Sequence, residues 1–301
     1  MTLTEKEQKL LNMKYPDGVL FSTCPEADWL QAGQTPTCPF CGEPTPFMGI
    51  LIADSVHWLR AQTRACTCPE AEKSREAAEK ALVEEEQRKK QEEHMTKVEN
   101  LRKRSGLEAR ELICTFDHFV ETQANSKALK TARRYAERVI DGTTKKLPQN
   151  SLYIFGSYGT GKTYLAAAIS NAVLEGGKRV VYTRFGELCR DVQRAFDKGS
   201  KESEEAILHK YKACPLLVLD DLGKEKYTDW SLALLFELID ARYRRMLPTV
   251  ITANYSLAET VKKMTINGTD KAAAGAIADR ITGAYFMVQL GGSSWRTSGS
   301  N

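Results

Sequence analysis

Apolar and polar positions divide the chain into three segments. Residues 1–68 mix cysteine, proline and aromatic residues with polar ones. Residues 69–106 are dominated by charge, with 10 acidic and 10 basic residues between Glu70 and Arg104. Residues 107–301 alternate short apolar runs with longer amphipathic stretches. The pattern predicts a small N-terminal module, a spacer and a larger C-terminal domain, with no internal repeat.

The charged segment predicts a long, exposed helix. It is dense in strong helix formers, and opposite charges recur four residues apart, as in Glu76 with Lys80 and Glu86 with Lys90. That spacing stabilises helices in water. Apolar residues are sparse and do not sustain a heptad pattern, which favours a spacer over a coiled-coil dimer, the alternative that stays open.

The larger domain predicts alternating strands and helices. Five apolar runs indicate buried strands: SLYIF, RVVYTRF, PLLVLDDLG, PTVITANYS and AYFMVQLGG. Four helical patterns stand between the first four of them: KTYLAAAISNAVLEG, GELCRDVQRAF, SEEAILHKYKA and WSLALLFELIDARYRR. This order predicts an α/β fold in which a parallel sheet is covered by helices on both faces.

The loop after the first strand carries the phosphate-binding pattern G-x-x-x-x-G-K-[ST]. Its residues are Gly156, Ser157, Tyr158, Gly159, Thr160, Gly161, Lys162 and Thr163. Glycines allow backbone N–H groups to surround phosphate oxygens, and the helix that follows adds its positive end. The Lys162 ammonium reaches the outer phosphates and the Thr163 hydroxyl can ligate Mg²⁺. The sequence therefore predicts an ATP–Mg²⁺ site.

Polar residues at the ends of two later strands complete this site. Asp220 follows four apolar residues and is expected to hold Mg²⁺, directly or through water. Asp221 is the candidate for polarising the attacking water. Asn254 ends the next strand and is expected to orient that water near the γ-phosphate.

Composition and charge add little to this picture. The sequence argues against two classes of protein, those that span a membrane and those that carry a signal peptide. Hydrophobic residues make up 42% and charged residues 27%, as in ordinary globular proteins. The net charge is +4, but residues 1–106 carry −2 and residues 107–301 carry +6. No apolar run reaches the ~20 residues of a membrane span, and the first residues do not resemble a signal peptide. We expect a cytoplasmic protein without a membrane partner.

Four of the eight cysteines form a candidate zinc site. Cys38 and Cys41 form a C-x-x-C-G knuckle, and Cys66 and Cys68 follow after 24 intervening residues. Four thiolates make a closed, tetrahedral structural Zn²⁺ site. The alternatives are a metal-free reduced or redox pair, or replacement of one ligand by a spare donor. Those spare donors are Cys24 and His57; the cysteines assigned to the protein core are Cys114, Cys189 and Cys214.

Residues 107–301 resemble a known family. The runs DDLGKEKYTDW, DARYRR, PTVITANYS and AIADRITGAYFMVQLGGSSWR are together similar to the DnaC-type bacterial replicative helicase loaders. These are AAA+ ATPases, close to replication initiators and to IstB-type transposition helper ATPases. A zinc-bearing N-terminal module followed by a helical spacer resembles, in type, the loaders of Gram-positive bacteria and their phages.

The resemblance implies further roles. Arg280, in ADRIT, corresponds to the arginine finger that reaches the γ-phosphate in a neighbouring subunit, so the active form would be a homo-oligomer. Arg296, in SSWR, corresponds to the residue that contacts nucleotide in its own subunit. Residues 1–68 would bind the hexameric replicative helicase, with residues 69–106 as the spacer and 107–301 as the ATPase domain.

Single-stranded DNA is a further expected partner. Basic and aromatic residues follow the second strand of the larger domain, where they could contact phosphates and stack on bases. They are Arg184, Phe185, Arg190, Arg194 and Phe196. The alternative is an ordinary amphipathic helix with phenylalanine in the core and arginine in solvent.

These observations predict an ATP-dependent helicase loader. Two alternatives stay open: an IstB-type transposition helper that binds duplex DNA, and an adaptor that uses ATP only as a switch. The first shares the ATPase domain, so the N-terminal module separates it from a loader. The second would bind ATP without turning it over.

Overall fold

The computed structural model describes residues 19–22, 36–52, 55–195, 203–266, 269–292 and 294–295. The chain divides into two compact units, Met1–Gln91 and Glu92–Asn301. Among the described residues, no helix combines the length and apolar character that crossing a membrane would require.

The first unit contains a three-stranded antiparallel sheet in the order β1-β2-β3. Its strands are β1 (Val19–Ser22), β2 (Phe47–Ile52) and β3 (Ser55–Thr63). The chain between β1 and β2 includes the cysteine knuckle, where the Gly42 N–H donates to the Cys38 carbonyl at 2.9 Å. This sheet was not predicted, because its strands lack a clean alternation of apolar and polar residues.

The predicted charged helix is present as α1 (Pro69–Lys103). Salt bridges four residues apart run along its surface, including Lys80 with Glu84 and Lys90 with Glu86. It begins with acidic residues and ends with basic ones, which suits the helix dipole. The long charged helix expected from the sequence is therefore confirmed.

The second unit is built on a five-stranded parallel sheet in the order β5-β6-β7-β4-β8. The strands are β4 (Ser151–Phe155), β5 (Val180–Arg184), β6 (Leu216–Leu222), β7 (Thr249–Ala253) and β8 (Tyr285–Gln289). All five predicted strands are present, and the predicted α/β fold class is confirmed.

Helices connect and cover these strands. They are α2 (Ala109–Leu112), α3 (Ser126–Asp141), α4 (Lys162–Glu175), α5 (Phe185–Arg194), α6 (Glu204–Ala213), α7 (Asp229–Arg244), α8 (Leu257–Thr265) and α9 (Lys271–Ala284). A short 3₁₀ helix (Thr143–Lys146) follows α3. The four helices predicted between strands are α4 to α7, whereas α2, α3, α8 and α9 were not predicted.

The core lies on both faces of the sheet. Along β4, Tyr153 belongs to one apolar cluster, and its neighbours Leu152 and Ile154 belong to the other. Alternate residues of a strand point to opposite faces, so burial of both faces explains why these strands read as continuous apolar runs. The buried sheet therefore supports rigidly the carboxyl ends of its strands, where the polar site residues follow.

The last turns of α1 are anchored to the rest of the second unit. Val98 is buried, and the ring nitrogen Nε2 of His94 lies 2.8 Å from the carbonyl oxygen of Glu175, at the end of α4. After the helix ends, the Tyr182 N–H on strand β5 donates to the Ser105 carbonyl at 2.7 Å. This contact brings Gly106, with φ +84°, against the backbone of Tyr182.

We predict that Gly106→Ala destabilises the second unit by about 2 kcal/mol or more. The new Cβ would lie 2.3 Å from the Tyr182 carbonyl oxygen, in addition to the cost of a left-handed backbone. Chemical denaturation of the purified variants measures this change. Gly142→Ala is the matched control, because Gly142 has φ +73° and a Cβ added there would meet no atom within 4 Å. That variant should lose only about 1 kcal/mol, and equal losses would contradict the steric argument.

Candidate nucleotide and metal sites

The phosphate loop connects β4 to α4 and has the geometry of an anion site. Helix α4 starts at Lys162, after Gly161 in the left-handed conformation. The Lys162 ammonium is nearly buried and donates to the Ser157 carbonyl at 2.7 Å. A Cβ on Gly156 would lie 2.2 Å from the Leu290 carbonyl oxygen, so this position has no room for a side chain. A cation and a helix N-terminus thus face the same cleft.

A distortion of strand β6 turns both carboxylates toward this cleft. Successive strand residues normally face opposite sides of a sheet. Here the pairing of β6 with β7 shifts between Leu219 and Leu222, and Asp221 has φ +62°. The strand therefore bulges, and Asp220 and Asp221 both line the cleft. Two adjacent acids can serve one site only because of this bulge.

Asp220 lies directly against the phosphate loop. The Thr163 hydroxyl donates to Asp220 at 3.1 Å from Oδ1 and 3.2 Å from Oδ2. A hydroxyl and a carboxylate in contact, at the N-terminus of a helix, are oxygen ligands of the kind that Mg²⁺ prefers. The two predicted metal ligands, separated by 57 residues in the chain, are thus brought together and fit a magnesium ion.

Thr252 and Asn254 hold the two carboxylates in place. The Thr252 hydroxyl donates to Asp220 Oδ1 at 2.6 Å and accepts from the Asp221 N–H at 2.8 Å. Asn254 donates to Asp221 Oδ1 at 2.9 Å, and Lys224 pairs with the same carboxylate. The expected convergence of Asp221 and Asn254 is present. Thr252 and Lys224 were not predicted, although alternation along β7 places Thr252 on the same face as Asn254.

The cleft has a volume of about 1340 Å³ and a second wall that sequence reasoning missed. That wall comes from the segment 108–120, which precedes the predicted first strand. Ile113 and Val120 expose apolar side chains there, and Phe119 packs on Tyr164 with ring centroids 5.5 Å apart. An apolar wall beside a phosphate loop fits the flat base of a nucleotide.

Two buried polar groups lie near the nucleotide cleft: Glu111 Oε2, which has no hydrogen-bond partner among the described residues, and the Tyr182 hydroxyl, which is close to Asp220. Burial and the negative charge of Asp220 raise the pKa of Tyr182 well above its usual value. The phenol therefore stays protonated, as a donor beside the acidic strand end. No sequence motif marked either residue.

Arg280 lies on α9, outside the cleft of its own chain. Its Nε donates to Asp240 Oδ1 at 3.0 Å, and its guanidinium stacks over Tyr243 with 5.1 Å to the ring centroid. It does not line the described cleft, so any contact with a γ-phosphate would have to be made to another chain. Arg296 lies outside the described residues.

Among the residues expected to contact DNA, the structure decides between the two alternatives at one position. Phe185 is 1% exposed and stacks on Tyr227 in the core, so it cannot stack on a base. Arg184 and Arg194 are exposed but paired with Glu187 and Asp191 on the same helix. The amphipathic-helix alternative is therefore right for Phe185, and Phe196 lies outside the described residues.

The four predicted cysteines of the first unit converge. Their sulfur atoms all lie within 4.8 Å of one another, with Cys38 to Cys68 at 3.8 Å and Cys41 to Cys66 at 3.4 Å. Thiolates bound at ~2.3 Å to one tetrahedral zinc are about 3.8 Å apart, so the geometry fits a metal. His57, on β3, is not part of this group, and Cys24 lies outside the described residues.

The thiols of the cluster differ in acidity. Backbone N–H groups of Cys41 and Phe40 lower the pKa of Cys38 to about 7, whereas the neighbouring Cys66 thiol raises the pKa of Cys41 to about 12. Outside the cluster, burial raises the pKa of Cys114 and of Cys189 to about 11. Because the thiolate is the metal ligand, convergence of the four sulfur atoms supports the metal site, and Cys114 and Cys189 are neutral packing residues.

The fold and the cleft together define the class of protein. A parallel sheet in the order β5-β6-β7-β4-β8, with a phosphate loop after β4 and an acidic end on β6, is the architecture of AAA+ P-loop ATPases. Solved structures of the replication initiator DnaA share it, for instance with a TM-score of 0.50 at 20% identity over 63% of this chain and 52% of that one.

The chain belongs to the family of IstB-like ATP-binding proteins. The sequence model of that family matches residues 58–301, which include the whole ATPase fold. The match begins in strand β3 and so extends into the first unit, but leaves out the cysteine knuckle and the first two strands.

Curated relatives include replicative helicase loaders. The loader DnaC of Escherichia coli strain K12 is 30% identical over 167 residues, 55% of this chain and 65% of that protein. DnaC of Buchnera aphidicola from Acyrthosiphon pisum is 27% identical over 159 residues, 52% of this chain and 62% of that protein. The chain thus spans less than two thirds of the length of these relatives.

Two solved structures show the same domain. One of DnaI has a TM-score of 0.52 at 26% identity and covers 63% of this chain and 94% of that one. One of the DnaC helicase loader has a TM-score of 0.50 at 25% identity and covers 61% of this chain and all of that one. The predicted resemblance to DnaC-type and IstB-type ATPases is confirmed.

We predict that Thr252→Val raises the Mg²⁺ concentration needed for half-maximal ATP binding or turnover roughly tenfold, as loss of a hydrogen bond to a metal ligand commonly does. The variant keeps its volume but frees Asp220 and Asp221 from their shared partner. Titration of Mg²⁺ at fixed ATP measures the shift. Thr249→Val, on the same strand, removes a hydroxyl that binds Arg242 at 2.8 Å. It should lower stability without changing the Mg²⁺ requirement, and a shared shift would contradict the assignment.

We predict that Cys41→Ser lowers bound zinc from about one ion per chain to near none, because three thiolates hold zinc far less tightly than four. Elemental analysis of the protein purified without chelator measures the ratio. Cys189→Ser, whose thiol lies in the second unit, should retain the metal. Zinc-free wild-type protein, or loss of zinc from both variants, would contradict a four-cysteine site.

Proposed function

We propose that this protein is an ATP-dependent loader of a replicative helicase. It would bind ATP and Mg²⁺ in the cleft between the phosphate loop and strand β6, hydrolyse ATP there, and contact the helicase and single-stranded DNA. A bacterial protein with this role would act in the cytoplasm.

The contact between Thr163 and Asp220 carries the enzymatic part of the proposal. It joins a hydroxyl at the helix N-terminus to a carboxylate at a strand end, beside the nearly buried Lys162. A bound Mg²⁺ would neutralise phosphate charge as the γ-phosphate is transferred to water. Asp221 would polarise that water, and Asn254, which already donates to Asp221 at 2.9 Å, would orient it.

Similarity to DnaC and DnaI supports a helicase as the partner. The DnaC proteins of Buchnera aphidicola and Escherichia coli, 27% and 30% identical, are replicative helicase loaders, and the DnaI structure is similar over 63% of this chain. We assign helicase binding to the N-terminal module, residues 1–68, with residues 69–106 as the spacer and 107–301 as the ATPase domain. A zinc ion on Cys38, Cys41, Cys66 and Cys68 would stabilise that module.

Arg280 supports an oligomeric active form. It lies outside its own cleft, on the face formed by α7 and α9, and is oriented by Asp240 at 3.0 Å. In a ring or filament, this face would meet the cleft of the next copy and place Arg280 near its γ-phosphate. Arg296 would contact nucleotide in its own subunit.

A second candidate function is that of a transposition helper ATPase. An insertion sequence ATP-binding protein of Sinorhizobium fredii is 41% identical over 109 residues, 36% of this chain and 35% of that protein. Both functions use the same ATPase domain, so partner binding decides between them. A pure ATP-switched adaptor would lack turnover altogether.

We predict that the full chain co-purifies with the host's hexameric replicative helicase, and that residues 107–301 alone do not. The expected difference follows from assigning the partner to residues 1–68. Size-exclusion chromatography of mixtures with ATP and Mg²⁺ measures complex formation. Filaments on duplex DNA without helicase binding would instead favour the transposition helper.

We predict that Lys162→Ala and Arg280→Ala each lower ATP turnover at least a hundredfold, since each removes a cation that stabilises phosphate charge. In an equal mixture of the two, about a quarter of the subunit interfaces combine an intact Lys162 with an intact Arg280 from the neighbour. Turnover should therefore recover to about a quarter of wild type if Arg280 acts on the neighbouring subunit. Steady-state phosphate release measures both results.

Arg244→Ala is the matched control for Arg280, because Arg244 also pairs with Asp240, at 2.8 Å. It should keep most of the turnover. Unchanged turnover in Lys162→Ala would remove the ATPase assignment, and a mixture as inactive as its components would argue against action between subunits.

A further inference from the structure

A second cavity of the ATPase unit lies apart from the nucleotide cleft. It has a volume of about 370 Å³ and is formed by α3, the 3₁₀ helix, the loop before β4 and the edge strand β8. Its lining shares no residue with the nucleotide cleft. The volume is at the lower end of the range for small-ligand sites, about 300–1000 Å³, which suits one nucleotide-sized group.

Two arginines line this cavity and form no salt bridge with a described residue, although the exposed Asp141 lies three residues after Arg138. Arg134 and Arg138 are four residues apart on α3 and are both exposed. Residues at this spacing share one face of a helix. Among the described residues neither of them forms a salt bridge, whereas Arg133 on the same helix pairs with Asp117 at 3.1 Å. The guanidinium groups of Arg134 and Arg138 are therefore available to an anion from outside.

The positive charge extends beyond the cavity as a stripe. Lys127 and Lys130 are also exposed and lie on the same side of α3 as Arg134 and Arg138, at spacings of three or four residues. Neither lysine forms a salt bridge with a described residue. The stripe spans about 16 Å along the helix. A stripe of this length suits a polyanion better than a single carboxylate.

An exposed aromatic ring borders the same cavity. Phe286, on the edge strand β8, is 44% exposed and lines the cavity. Tyr135 also lines it and is buried, and its hydroxyl has no hydrogen-bond partner among the described residues. An exposed aromatic ring beside two guanidinium groups provides both components of single-strand binding: stacking for a base and contacts for phosphates.

We propose that this cavity binds one nucleotide of a single-stranded DNA segment, with Phe286 stacking on the base and Arg134 and Arg138 contacting successive phosphates. Lys127 and Lys130 would follow the strand along α3. The inference rests on the proposed function in that it takes single-stranded DNA as a partner, and it assigns that partner to a surface. The arginines of α5 are the rival surface. Arg190 is exposed there, but Arg194 pairs with Asp191 and Phe185 is in the core, so that helix offers no exposed ring.

The test is fluorescence anisotropy of a fluorescein-labelled, 20-nucleotide oligo(dT) titrated with the full chain, with ATP and Mg²⁺ present. The double variant Arg134→Gln with Arg138→Gln should weaken binding roughly 25-fold at 0.1 M salt and reduce the salt slope by about 1.4, since a single strand loses ~0.7 per phosphate contact. Phe286→Leu should weaken binding roughly fivefold through lost stacking, with the salt slope unchanged.

The matched control is Arg190→Gln with Arg194→Gln, which makes the same charge change on α5. It should alter affinity less than twofold, and a loss equal to that of the α3 double variant would overturn the proposed surface. Turnover of ATP without DNA reports folding and should equal wild type. If the α3 double variant fails to fold, Phe286→Leu alone decides, and unchanged affinity in it overturns the proposal.

Further outcomes separate this inference from the proposed function. If the wild type binds oligo(dT) but both α3 and Phe286 variants bind equally well, the surface is wrong and the loader function stands. If poly-glutamate displaces oligo(dT) at equal charge and Phe286→Leu has no effect, the surface recognises acidic protein instead. If the wild type binds no oligo(dT), the DNA site fails, while helicase co-purification still tests the loader.

Discussion

The nucleotide site depends on Asp220 and Asp221 facing the same cleft, and the bulge in β6 makes this possible. A regular strand would turn Asp221 away from the cleft when Asp220 faces it. The left-handed residue at Asp221 and the shifted pairing with β7 bring both carboxylates to one side. Thr252 stabilises this conformation by donating to one acid and accepting from the backbone of the other. Such a strained residue persists only where its surroundings hold it, and here they include a strand buried on both faces.

The helix that begins at the phosphate loop is held at both ends. Its N-terminus carries Lys162 and Thr163 in the cleft, and its last residue, Glu175, is bound by the final turns of α1 through His94 and Arg102. After those turns, Ser105 is hydrogen-bonded to strand β5, and the chain then enters the segment 108–120 that forms one wall of the cleft. A short, continuous stretch thus connects the end of the charged helix to the nucleotide site.

Much of this architecture could be predicted from sequence, for identifiable reasons. Central parallel strands are buried on both faces and read as unbroken apolar runs, so β4 to β8 were found. The phosphate loop has fixed chemistry at fixed spacing, and the cysteine pairs have metal-ligand spacing. Helix α3 was missed because no predicted strand precedes it, whereas α8 and α9 were missed although they lie between the predicted strands β7 and β8. The environment of Phe185 stayed open because an aromatic residue next to arginines looks the same in sequence whether it lies in the core or on the surface. The structure places it on the buried face of α5.

The sequence by itself determined the class of protein, the phosphate loop, the acidic strand end and the two cysteine pairs, because each depends on residues that are neighbours or nearly so in the chain. Only the tertiary structure decided which distant groups meet. It placed Thr252 between two carboxylates, the segment 108–120 across the cleft, and Arg280 on a face away from its own nucleotide site. It also brought Phe286 beside Arg134 and Arg138, which lie some 150 residues away. Such contacts between distant residues follow from strand order and helix packing, which bring together residues that no local sequence pattern connects.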